Sequence, residues 1–121
     1  MNETVYQSSP EKEYYFREGC FILELLNDPA RPELSIARAR VTPGTETRPH
    51  RLKGTIERYV IQAGKGRVFL GKDSEGHAVG PGDVVVIAAE TTQSIRNDGK
   101  EDLVFLAICT PRFDSVNYAE V

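Results

Sequence analysis

An all-β barrel or sandwich is the fold class this sequence predicts, and three observations predict it. Apolar residues fall in short runs, the runs are separated by turn-forming residues, and no segment of ten or more residues carries a 3.6-residue period. The runs, in order, are "CFILELL", "ELSIARARV", "IERYVIQ", "RVFLG", "HAV", "DVVVIA", "TQSIRN" and "DLVFLAIC". Between them stand "NDPARP", "TPGTETRP", "AGKG", "KDSEG", "GPGD", "AAET" and "NDGKE". Gly, Asn and Asp in these links supply positive φ, and Pro supplies a fixed φ, so each link reads as a turn.

Individual runs show which side chains share a face. In "IERYVIQ", Glu57, Tyr59 and Ile61 point one way, and Ile56, Arg58, Val60 and Gln62 the other. In "TQSIRN", Gln93, Ile95 and Asn97 oppose Ser94 and Arg96. "DLVFLAIC" is apolar on both faces, which predicts cover on both sides, the second from another subunit or a terminal arm, and a homodimer is expected. Residues 1 to 18 are charged and without hydrophobic period, and read as a loose N-terminal arm. The barrel is placed at 19 to 113 and a C-terminal tail at 114 to 121.

The whole chain narrows the function classes. Its 121 residues fit one domain, and 40% hydrophobic with 27% charged residues predicts a folded globule. The net charge of −3, with basic residues scattered, argues against nucleic acid as a partner. No apolar run approaches the roughly 20 residues of a membrane helix, and the start lacks the apolar segment of a signal peptide. These features predict a cytoplasmic protein that binds neither membrane nor nucleic acid. Cys20 and Cys109 lie far apart in apolar runs and read as buried, reduced thiols. His77 sits beside a turn in "DSEGHAVG" and reads as exposed, and Asn97 reads as shaping the turn "NDGK".

One stretch, "HRLKGTIE", places His50 and Glu57 around a glycine. Glu57 shares its face with Tyr59 and Ile61, so it points into the barrel. A buried carboxylate needs a cation, a metal or a raised pKa. Gly44, His50, Leu52, Glu57 and Gly64 are spaced as in the first motif of the cupin superfamily, G-x5-H-x-H-x3,4-E-x6-G, with Leu52 in place of the second histidine. The second motif, G-x5-P-x-G-x2-H-x3-N, matches at Gly82 and Asn97, with Ala88, Glu90 and Gln93 at the other positions. With "PGD" and "NDGKEDLVFL", the chain resembles a small single-domain cupin over residues 20 to 113.

The resemblance implies an all-β, cupin-type jelly-roll β-barrel. It also implies a divalent metal (Mn, Fe, Ni or Zn) held by His50, Glu57 and the carbonyl oxygen of Gln93. One imidazole with oxygen donors leans toward a harder ion such as Mn or Fe(II). Arg48, Leu52 and Tyr59 are then expected around the substrate pocket, with Arg48 placed to neutralise Glu57 or hold an anion. Two functions stay open. The first is an enzyme of oxygenase or isomerase type acting on a small oxygen-rich molecule, through a metal with a reduced ligand set or through His50 and Glu57 as an acid–base pair. The second is a small-molecule binding or sensing module without metal and without catalysis.

Overall fold

A computed structural model describes residues 3–121. Its strands are β1 (Tyr14–Phe16), β2 (Cys20–Leu26), β3 (Ser35–Val41), β4 (His50–Leu52), β5 (Ile56–Ala63), β6 (Gly66–Leu70), β7 (His77–Val79), β8 (Val84–Ile87), β9 (Gln93–Asn97), β10 (Leu103–Thr110) and β11 (Tyr118–Glu120). Two antiparallel sheets contain them. The larger runs β1-β2-β3-β10-β5-β8 and the smaller β11-β4-β9-β6-β7. This is the all-β fold that the strand pattern predicts, in the jelly-roll form that the cupin resemblance implies. Among the described residues no helix is long and apolar enough to cross a membrane.

All eight expected runs form strands. The alternation in "IERYVIQ" holds: Glu57, Tyr59 and Ile61 are buried, while Ile56 and Gln62 are exposed. In β10 the inward residues Leu103, Phe105 and Cys109 are buried, and Val104, Leu106 and Ile108 on the other face are half-buried. Ile61, Val68, Ile87, Ile95, Leu103 and Phe105 form the main core between the sheets.

Two boundaries differ from expectation. Residues 14–18 are no loose arm, because Tyr14–Phe16 pairs with β2 in register Tyr14↔Ile22 and Phe16↔Cys20. Glu13 further clamps this segment by ion pairs to Arg40 at 2.7 Å and Arg38 at 3.3 Å. Nor is the tail a free end: β11 pairs with β4, Tyr118 opposite Leu52 and Glu120 opposite His50. Both strands have three residues, too few for an alternating pattern to show. Their partners define them.

The motif glycines have physical reasons. Gly64 has φ +86°, and a Cβ there would lie 2.6 Å from the Asp102 carbonyl oxygen. Only glycine allows β10 to start so close to that turn. Glu90, at a motif glycine position, keeps the left-handed backbone at φ 69°. Its carboxylate accepts the Gly54 amide at 2.6 Å, a bond across 36 residues of sequence that ties this turn to the one before β5.

Candidate functional site

The larger sheet builds a cavity on its inner face. Cross-strand register sets Glu57 opposite Cys109, and Cys109 opposite Ser35. The next row is Tyr59, Ala107, Ala37 and Glu24. Ala37, Ala39 and Ala107 are among the inward residues of the two central strands, and their small side chains leave space. About 60 Å³ is open to the centre of a water-sized sphere. That is room for roughly four to six such centres, enough for a small organic molecule. The lining grades from buried Glu57, Tyr59 and Cys109 to exposed Tyr14 and Glu24, which marks the mouth.

Glu57 is the chemically unusual group in this wall. It is 8% exposed, and its Oε1 has no hydrogen-bond partner. Oε2 accepts the Cys109 thiol at 3.7 Å. Burial, then the nearby Glu18 charge, push its carboxyl up to about 7, against the opposing pull of His50, Gln93 and Cys109. The Gln93 amide favours the charged form without reaching hydrogen-bond geometry to Oε1. Glu57 therefore changes charge near neutral pH, where a group serves as either acid or base.

His50 sits behind the cavity wall. Its Nδ1 donates to the Arg48 carbonyl oxygen at 2.8 Å, because that partner only accepts. Its Nε2 meets Glu18 Oε2 at 2.9 Å, so a proton lies between them. Burial lowers the imidazole pKa, but the Glu18 hydrogen bond and charge, with the Arg48 carbonyl and the Glu57 charge, together outweigh it, and the net direction is up. The ring stacks on Tyr118 at 5.1 Å and 23°. Glu18 thus stands between His50 and the cavity, which it lines. Its other oxygen takes the Cys20 thiol at 3.5 Å.

Of the residues selected from sequence, Glu57 and Tyr59 line the cavity. Gln93 is buried beside it, and its carbonyl oxygen accepts the Tyr59 hydroxyl. The Tyr59 phenol is pushed well up by burial and by the Glu57 charge, so it stays a donor. Cys20 and Cys109 are buried free thiols, both also pushed up by burial, and inert at neutral pH. Asn97 spends its amide on the backbone of Val41, Glu101 and Gly99, as a turn-shaping residue does.

Three expectations need correction. Arg48 does not face the pocket: its side chain is 69% exposed and pairs with Glu120 at 3.8 Å. It precedes β4, so strand alternation does not reach it. Leu52 does not line the pocket, because β11 covers it, and it packs with Cys109 and Tyr118 in a separate cluster. The expected metal ligands are neighbours, His50 opposite Gln93 and both acting on Glu57, but the donor atoms of His50 and Gln93 are engaged elsewhere. His50 Nε2 is turned to Glu18 and Gln93 Oε1 takes Tyr59. Among the described residues no three His, Cys, Asp or Glu side chains are grouped to hold an ion. With Leu52 and Gln93 in place of imidazoles, the donor set does not fit a divalent metal. His50 is partnered by a carboxylate, Glu18, instead.

Glu18 is the functional residue that sequence reasoning missed. Its signal is the hairpin pattern "YYFREGCF", two short apolar runs around a Gly-containing turn, with Gly19 at φ +104°. That turn delivers Glu18 to the same wall as Cys20.

A family model described as "Cupin domain" matches residues 37–109. No curated protein matches the sequence. Many solved structures share the fold. A predicted oxalate decarboxylase from Thermotoga maritima is 26% identical, with a TM-score of 0.75 over 89% of this chain and 99% of that one. KdgF from Halomonas is 16% identical, with a TM-score of 0.79 over 95% and 99%. Streptomyces Pac13, a nucleoside dehydratase, is 18% identical, with a TM-score of 0.77 over 98% and 92%.

Proposed function

The chain belongs to the cupin family, and from that premise we propose that its barrel binds a small molecule and moves a proton on it through Glu57, without a metal. The observation that carries this reading is the Glu57 carboxyl: buried, one oxygen unpartnered, on the cavity wall, and titrating near 7. A buried carboxylate with an unpartnered oxygen, on a residue that lines a cavity, is a place where a ligand's donor would be compensated. The Tyr59 hydroxyl and Gln93 fix the floor beside it. His50 acts through Glu18, as a positioning residue rather than a group in contact with ligand.

Proton transfer suits isomerisation, in which Glu57 takes a C–H proton and returns it to another atom of the same ligand. It also suits dehydration, the chemistry ascribed to the structurally similar Pac13. The oxygenase form of the first hypothesis loses support, because the donor set does not hold an ion. The second reading is a binding module, in which Glu57 Oε1 only receives a ligand's donor. Deuterium incorporation separates the two. Small polyols, hydroxy acids and amines are incubated with the protein in D2O and followed by NMR. Exchange of a ligand C–H that is lost in Glu57→Gln supports catalysis. Binding without exchange for every ligand supports the module.

The cupin barrel is also proposed to pair with a second copy. The edge strand β8 turns Val84 and Val86 outward, 59% and 65% exposed. A monomer by light scattering would contradict the pairing.

A further inference from the structure

The cavity wall carries three carboxylates, Glu18, Glu24 and Glu57. Among its described lining residues there is no lysine, arginine or histidine. Two of the carboxylates are engaged. Glu18 pairs with His50 at 2.9 Å, and Glu24 accepts the Tyr14 hydroxyl at 3.1 Å. Glu57 Oε1 is not engaged, although the residue is more than nine-tenths buried and lines the cavity. A buried oxygen of this kind is satisfied by a hydrogen-bond donor.

The remaining wall sharpens the chemistry of that donor. Tyr14, Phe16, Tyr59, Phe105 and Phe113 line the cavity between the carboxylates and the alanines. Aromatic rings attract cations and give anions nothing in return. A ligand carboxylate would bring another negative charge beside Glu57 and Glu18, with no lining cation to receive it. The basic groups behind the wall are engaged: His50 is turned to Glu18 at 2.9 Å, Arg112 donates to Asn27 at 2.7 Å, and Arg17 lies over the Tyr118 ring at 4.4 Å. Ile22, Ala37, Ala39, Ile95 and Ala107 make most of the remaining lining apolar, and its polar members are engaged with backbone, Asn27 with Phe113, Ser35 with Phe113 and Thr47 with Ile95.

We infer that the barrel selects a small organic cation, an ammonium head on a short apolar body, held beside the Glu57 carboxylate, and rejects a carboxylate of the same shape. This rests on the reading of the barrel as a small-molecule pocket and adds the charge of the occupant. The ammonium supplies the missing donor, compensates the surplus negative charge and meets the aromatic wall. The alanine rows accept the apolar body.

Benzylamine, benzyl alcohol and benzoate share one body and differ in the charge of the head, so they test the inference at pH 8. Binding is read by calorimetry and thermal stabilisation on the full chain. The amine is expected to bind about tenfold or more tightly than the alcohol, the difference between a charge-assisted and a neutral hydrogen bond. Benzoate is expected not to bind. Glu57→Gln should weaken the amine by a similar factor and leave the alcohol little changed. Ala107→Leu, which fills the cavity without touching a carboxylate, should abolish binding of both. Equal affinity for amine and alcohol, with Ala107→Leu blocking both, overturns the charge selection and leaves the pocket reading standing. Tighter binding of benzoate overturns the inference in the same way. Absence of binding by all three probes overturns it together with the pocket reading.

Discussion

Replacing Glu57 with glutamine keeps the shape of the side chain and removes its charge, which makes it the cleanest probe of the buried site. Burial and the Glu18 charge lift the carboxyl from 4.5 to about 7. The folded protein therefore holds this proton up to about pH 7, while the unfolded chain releases it near 4.5. The favourable contribution is complete below pH 4.5 and is lost as pH rises through 7. At about 1.36 kcal/mol for each pH unit of that gap, the ionised residue costs the fold about 3 kcal/mol above pH 7. Glutamine carries no such cost. The variant should match the wild type near pH 4.5 and exceed it by about 3 kcal/mol at pH 8, or about 10 °C in Tm for a chain this size. Urea unfolding at pH 4.5, 6, 7 and 8 measures the difference directly. Subtracting the two curves cancels Glu13, Asp28 and Asp98, whose lowered pKa values act in the opposite, acidic window. Parallel curves for the two proteins across this range would refute the reasoning, as would a variant less stable than wild type at pH 8.

Glu18→Gln removes the largest influence raising His50, so the imidazole pKa should fall relative to the wild type, read from its C–H resonances by NMR. Gly64→Ala forces a Cβ to 2.6 Å from the Asp102 carbonyl oxygen at a positive φ, and should cost about 3 kcal/mol by urea midpoint. Arg48→Ala should change stability by less than about 0.5 kcal/mol, because its pair with Glu120 is exposed and 3.8 Å long.

The parts of this protein that alternate were legible in its sequence. Glu57, Tyr59 and Ile61 share the inner face of β5 because eight residues of strand give a period of two time to show. Gln93 and Asn97 were placed inside by the same rule. The rule fails where strands end. Arg48 is two residues before His50, but it stands before β4 begins and turns to solvent. Leu52 does share the inward side with His50, yet β11 claims it, and nothing local announces a strand that forms only by pairing across the fold. Glu18 was illegible for a related reason. Its contact with His50 joins a hairpin turn to a three-residue strand in the other sheet, and no periodicity links the two. The motif spacing reported the backbone faithfully, including a left-handed residue at Glu90 where the family has glycine. It did not report the ligand set, because the roles of His50 and Gln93 depend on what Glu18 and Tyr59 do to them.

The central claim is that a metal-free Glu57 carboxyl titrates near neutral pH at the wall of the cavity. Carbon-13 NMR of side-chain carboxyl groups, with Glu57 assigned by its loss in Glu57→Gln, tests this most directly. The account predicts a midpoint near 7, lowered in Glu18→Gln and unmoved by added zinc or manganese. A midpoint at or below 4.5, or one driven down by either ion, would contradict it.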